Sequence, residues 1–185
     1  MTIAKDRAHG LELVASLVAR FRENEDHYRS ASFDETSTRE LFINPLMEAL
    51  GWDVLDEHGA GPDRDVVFHP RHVHHGEAAG LDEWDEDLTP DEIAEREPVT
   101  QIPDYAFRLD GSLRFFLEAK RAGRPLATKA AVFQAKSYAW SQNARAALLT
   151  NFAELRLYET RRTPDINSPR TGQLLALGFA DYETR

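Results

Sequence analysis

The chain has 185 residues, 42% of them apolar and 10% aromatic, enough for one globular domain with a real core. The absence of cysteine excludes disulfides and thiolate metal sites, and no run approaches the roughly 18 apolar residues of a membrane span. A net charge of −10 argues against a protein that grips nucleic acid unaided. Most of that charge is local, however. Ten acids and one base between Glu77 and Glu97 supply −9, and the rest of the chain is nearly neutral.

Met1 to Arg7 carry no apolar leader, which fits a cytoplasmic protein. Leu11, Val14, Val18 and Phe21 recur at helical spacing, so residues 8–23 read as an amphipathic helix. Residues 23–32 are polar and irregular. Ser32-Phe33-Asp34-Glu35 has capping-box spacing and opens a second helix. Phe42, Leu46, Ala49 and Leu50 form its expected buried face, Pro45 should kink or divide it, and Gly51 ends it. Residues 59–98 read as an acidic, His-rich insertion with partial mobility. It opens on Gly59-Ala60-Gly61-Pro62 and includes the short apolar run Val66-Val67-Phe68.

Residues 105–109 and 113–118 read as a β-hairpin around Asp110-Gly111-Ser112. A two-residue loop would pair Phe107 with Arg114. A three-residue loop pairs Leu109 with Leu113, Phe107 with Phe115 and Tyr105 with Leu117, which gives one clean apolar face. The same register sets Asp104 opposite Glu118 on the other face, with Lys120 beside Glu118. Thr128 can cap a third helix, 129–143, with Phe133, Ser137 and Trp140 on one side. Strands follow at 146–150, 155–158 and 174–177, with a loop over 160–171.

The hairpin thus gathers Pro103-Asp104 and Glu118-Ala119-Lys120, two carboxylates and a lysine separated by thirteen residues. Asp104 and Glu118 offer hard oxygen ligands for Mg²⁺, and the Ala119 carbonyl is available as a third. Lys120 would orient the attacking water, or help deprotonate it, and stabilise developing charge on a phosphodiester. Lys129, Lys136, Arg121, Arg124 and Arg145 follow the Glu-Ala-Lys strand and are candidate phosphate contacts, too few and dispersed to read bases.

Three further segments carry a resemblance. The stretch from Glu35 through Arg39, Phe42-Ile43, Pro45-Leu46 and Leu50-Gly51-Trp52-Asp53 resembles the opening of the PD-(D/E)xK nuclease domains of restriction enzymes. Those domains stand at the N-terminus of type I restriction subunits and of fused type IIG/IIL restriction-modification proteins. Gln134-Ala-Lys-Ser-Tyr138 is similar to their QxxxY element. Leu149-Thr150-Asn151-Phe152 with Leu155-Arg156-Leu157-Tyr158 is similar to their strand-turn-strand segment, with Asn151 in the turn.

The resemblance covers residues 33–55 and 100–180. It implies an α/β fold with a central mixed sheet flanked by helices, and a Mg²⁺-dependent endonuclease in which Mn²⁺ substitutes. It implies products with 5′-phosphate and 3′-hydroxyl ends, and cleavage of double-stranded DNA by transiently paired modules in a prokaryotic cytoplasm. It adds Glu35 to the metal site, with Glu40 as the alternative, and gives Gln134 and Tyr138 supporting or backbone-contacting roles. Without that role, Glu35 would serve the capping box or pair with Arg39 at i,i+4. The chain is then expected to be the N-terminal module of a protein with methyltransferase and target-recognition domains.

The rivals are a module of an ATP-driven type I subunit, a nuclease-like module that binds without cutting, and a structural protein in which Glu118–Lys120 is only an ion pair. His69, His72, His74 and His75 read most simply as a solvated loop, with a Zn²⁺ or Ni²⁺ site completed by Glu77 as the alternative. The acid run reads as a solvated excursion, or as a DNA mimic shielding the site.

Overall fold

A computed structural model describes residues 7–57, 59, 64–68 and 103–184. The His-rich stretch and the acid run lie outside the described residues. The helices are α1 (Arg7–Glu23), α2 (Glu25–Arg29), α3 (Glu35–Thr38), a π-turn (Arg39–Ile43), α4 (Asn44–Ala49) and α5 (Lys129–Ser141). The strands are β1 (Val66–Phe68), β2 (Tyr105–Leu109), β3 (Ser112–Ala119), β4 (Ala146–Thr150), β5 (Glu154–Glu159) and β6 (Gln173–Gly178). They form one mixed sheet in chain order, β3 and β4 parallel through α5 and every other pair antiparallel.

The sheet is covered on both faces. On one, Tyr105, Phe107, Leu117, Ala119, Leu148 and Leu155 join Val14, Val18 and Phe21 of α1 and Phe42, Ile43, Leu46 and Met47 from the π-turn and α4. On the other, Ala106, Phe116, Ala147, Leu149 and Tyr158 meet Val132, Ala135, Tyr138 and Ala139 of α5. The result is an α/β domain with a mixed sheet flanked by helices, as expected.

Several local expectations change. Leu11 and Leu50 are exposed, and Leu17 and Met47 take the buried positions instead. Part of the irregular 23–32 stretch is helical, as α2. The cap of α3 is Asp34, whose side chain accepts from the Ser37 amide at 2.7 Å, so Ser32 is not the capping residue. The division at Pro45 appears as the π-turn ahead of α4. The wider turn suits a residue with no N–H to give the helix ladder. On α5 the buried positions are Val132, Lys136 and Ala139, whereas Trp140 is exposed. Val66–Phe68 is no part of a mobile excursion: it is β1, paired with β2, and Val66 is fully buried.

The hairpin resolves its two competing registers. The loop is the two-residue Asp110-Gly111, both at positive φ (51° and 71°), the turn that suits strand twist. Leu109 therefore pairs with Ser112, not Leu113. Between Arg108 and Phe107 the register shifts, and Arg114 is the extra residue on β3. Beyond this bulge the expected pairs return: Phe107 with Phe115 and Tyr105 with Leu117. Phe107 and Phe115 stack with centroids 4.5 Å apart.

Past β3 the chain turns through Gly123, where the backbone runs close under α2. A Cβ there would sit 2.0 Å from the Arg29 carbonyl oxygen, a main-chain atom that cannot swing aside. Gly123→Ala is expected to cost about 1–3 kcal/mol through this overpacking. Urea denaturation measures it, and a loss below about 0.5 kcal/mol, the scatter of ordinary surface changes, would mean the approach is looser than described.

Candidate active site

The site forms where β2 begins and β3 ends. Asp104 immediately precedes β2, and its carboxylate is held twice. Oδ2 accepts from the Ala119 amide at 2.7 Å, and Oδ1 accepts from Arg39 Nη1 at 2.7 Å. The first bond ties Asp104 to the main chain between Glu118 and Lys120. The second reaches it from the π-turn. Alternation along β3 puts Glu118 on the α5 side with Phe116, while Leu117 and Ala119 face the other core. Lys120 Nζ donates to Glu118 Oε1 at 2.5 Å, and both side chains are largely buried, 19% and 16% exposed.

The electrostatics bind Glu35 to this group. Burial raises its pKa. Lys120 opposes the rise, Asp104 adds to it, and Arg39 and Arg124 oppose it. Burial likewise pushes Glu118 up to about 7, against the pull of Lys120 and with a push from Asp104 and Glu35. Burial works against the charge on Lys120, but Glu118, Glu35 and Asp104 outweigh it and hold its pKa above the usual value. The structure therefore brings Asp104, Glu118, Ala119 and Lys120 together, with Glu35 within electrostatic reach. Glu40, the alternative to Glu35, is exposed.

Gln134 and Tyr138, on one face of α5, line a small cleft with Pro103, Phe116 and Glu118. The Tyr138 ring meets Phe116 edge-on at 4.9 Å, and burial raises its hydroxyl pKa to about 12. The candidate phosphate contacts divide. Lys129 is exposed at the start of α5, and Arg121 and Arg124 are half-buried just past Lys120. Lys136 is not available to a phosphate. It is 4% exposed and donates to the carbonyls of Pro169 and Thr171 at 2.9 and 2.7 Å, so it anchors the 160–171 loop. Arg145 precedes β4, whose first residue pairs with Phe115, whereas Glu118 pairs with Leu149. It therefore stands at the far end of the sheet from the site.

From the sequence, Arg39 reads as a helical partner of Glu35, and Thr38 carries no signal of a role. The Glu-x-x-x-Arg spacing was visible, but that the arginine would cross to Asp104, 65 residues away, was not.

The donors suit a hard divalent cation, since Asp104 and Glu118 offer carboxylate oxygens with the Ala119 main chain beside them. Among the described residues no three His, Cys, Asp or Glu side chains stand close enough to cage an ion themselves. Two carboxylates completed by carbonyl, water or phosphate oxygens are the set Mg²⁺ accepts, because it keeps part of its water shell.

Comparison with known proteins adds one relationship. The chain is 28% identical over 144 residues to the type II restriction enzyme and methyltransferase RM.Eco57I of Escherichia coli. The match spans 77% of this chain and 12% of that protein. No protein-family model and no solved structure matches the chain. Among the described residues, no helix is long and apolar enough to cross a membrane.

Removing the Asp104 carboxylate strands the Arg39 guanidinium and the Ala119 amide in a largely buried setting. Asp104→Ala is therefore expected to lose about 2–4 kcal/mol of folding stability, and Asp104→Asn, which keeps one acceptor but sets its NH₂ against the other donor, only somewhat less. Paired denaturation curves check this. Equal losses would show that the charge, not the acceptor geometry, holds the strand end.

Proposed function

We propose that this domain is a DNA endonuclease module of the PD-(D/E)xK type, the cleavage part of a restriction-modification protein. The observation that carries the reading is the convergence of Asp104, Glu118 and Lys120 on one strand end, with Glu35 within electrostatic reach. The similarity to a restriction enzyme and methyltransferase supports it. Asp104, Glu118 and the Ala119 carbonyl would hold Mg²⁺, or Mn²⁺ in its place, and Glu35, which does not complete a three-carboxylate cage, would act on the ion through water. The bound ion supplies charge neutralisation at the phosphate and a more acidic water.

The chain's own groups do the rest. Arg39 and the Ala119 amide fix the Asp104 carboxylate. Lys120, charged and held by Glu118, orients the attacking water and stabilises charge that develops on the phosphoryl oxygens. Gln134 and Tyr138 border the Glu118 cleft, where they support Lys120 or touch the DNA backbone. Arg121 and Lys129 contact flanking phosphates. Water adds to phosphorus, the bond to O3′ breaks, and the products carry 5′-phosphate and 3′-hydroxyl ends. Base recognition falls to partner domains of the parent chain, and double-strand cutting to a second copy of the module.

The raised pKa of Glu118 sets a pH dependence. Below about 7 its carboxyl holds a proton that an incoming cation must displace, and above that it is ionised and ready. Mn²⁺ affinity measured by calorimetry should therefore fall about tenfold per pH unit below 7 and level off above it. An affinity unchanged between pH 6 and 8 removes Glu118 from the ligand set. Lys120→Ala should retain Mn²⁺ binding yet lower plasmid cleavage about 10²–10³-fold. Undiminished cleavage would reduce Glu118–Lys120 to an ion pair.

A further inference from the structure

Residues 120–124 leave β3 without regular structure, yet they carry Lys120 at their start and Arg124, whose charge acts on Glu35, at their end. A segment of this kind is normally mobile on the scale that matters for catalysis. Here it is fastened. Lys120 N donates to Thr150 O at 2.9 Å, extending the β3–β4 ladder. The Ala122 amide donates to Thr38 Oγ1 at 3.2 Å, and that hydroxyl donates onward to Asp34 O at 2.8 Å. Among the described residues Asn151 is a second side chain that fastens the segment.

Asn151 is 1% exposed and lies just past β4. Its Oδ1 accepts from the Glu154 amide at 2.7 Å and closes the β4–β5 turn. That turn needs only an acceptor, which Asp or Ser also provides. Its Nδ2 donates elsewhere, to Arg124 O at 2.7 Å and Ala122 O at 3.3 Å. Only an amide satisfies both sides, because a carboxylate would set oxygen against oxygen at the two carbonyls. We propose that Asn151 is a positioning residue for the 120–124 segment, holding Lys120 on Glu118. The catalytic part of this inference rests on the nuclease reading.

The test uses the full chain and the variant Asn151→Asp, which keeps the acceptor for Glu154 N and loses both donors. Thr160→Val is the control. It deletes a buried bond to Ala144 O (2.6 Å) at the other end of β4, which lowers stability far from the site. Amide hydrogen exchange, Mn²⁺ affinity and plasmid cleavage at saturating Mn²⁺ are measured on each. In Asn151→Asp the amides of residues 121–124 should exchange about tenfold faster. Its kcat should fall about 100-fold, with KM and Mn²⁺ affinity nearly unchanged. Thr160→Val should lose stability with kcat retained.

Unchanged exchange in 121–124, or a kcat loss no greater than in the control, overturns the proposal. If the wild type neither cuts nor binds Mn²⁺, the nuclease reading fails, and the exchange comparison still decides whether Asn151 holds the segment. If Asn151→Asp does not fold, Thr38→Val, which removes the bond from the Ala122 amide, takes its place with the same expected separation of kcat from metal affinity.

Discussion

The β2–β3 register is the constraint on which the site depends. A shift of one residue would turn Glu118 and Lys120 to the opposite face and leave Asp104 against an apolar neighbour. Three features pin it. Asp110-Gly111 demands a two-residue loop, the stacked Phe107–Phe115 pair demands a pairing that such a loop forbids, and the bulge at Arg114 reconciles them. A bulge one residue wide leaves the far half of the hairpin in the register that suits the core. The Asp104 carboxylate then lands on the Ala119 amide.

Around that register the molecule concentrates charge that burial opposes. Glu118 and Lys120 are both mostly out of water, and desolvation penalises each. Their mutual attraction keeps the pair together, but burial still leaves Glu118 reluctant to ionise. In the proposed function, a group in that condition would gain from a bound cation beside it. Arg39 plays the matching part for Asp104, drawn from a turn whose geometry answers to Pro45. Asn151 and Thr38, at the other side of β3, keep the following segment from drifting. A strand end, a π-turn and a β-turn thus hold one cluster from three directions.

The basic residues show how burial sorts chemistry that composition leaves mixed. Five cations stand near one another in sequence. Lys136 spends its charge on two carbonyls of the 160–171 loop, and Arg145 lies at the wrong end of β4. Arg121, Arg124 and Lys129 remain on the side of the site, a modest basic edge in a chain of net −10. So small a positive surface suits a module that relies on other domains for DNA affinity.

Much of this was legible in the residues. Alternation and the Phe107–Phe115 pair led to the strands and to the face that Asp104, Glu118 and Lys120 share, because side-chain period and burial are local properties. Gln134 and Tyr138 came from the resemblance to the QxxxY element, with helical spacing putting both on one face. The rest required distant segments to meet. Nothing near Arg39 points to Asp104, and nothing near Asn151 points to Ala122 and Arg124. Lys136 looks like any basic helix residue until the 160–171 loop closes over it. Val66–Phe68, read as part of an excursion, became a strand because β2 offered it an edge. The sequence by itself determined which side chains share a face along β2 and β3, because alternation is local. The tertiary structure decided which of them pair, because pairing depends on burial and on contacts between residues far apart in the chain.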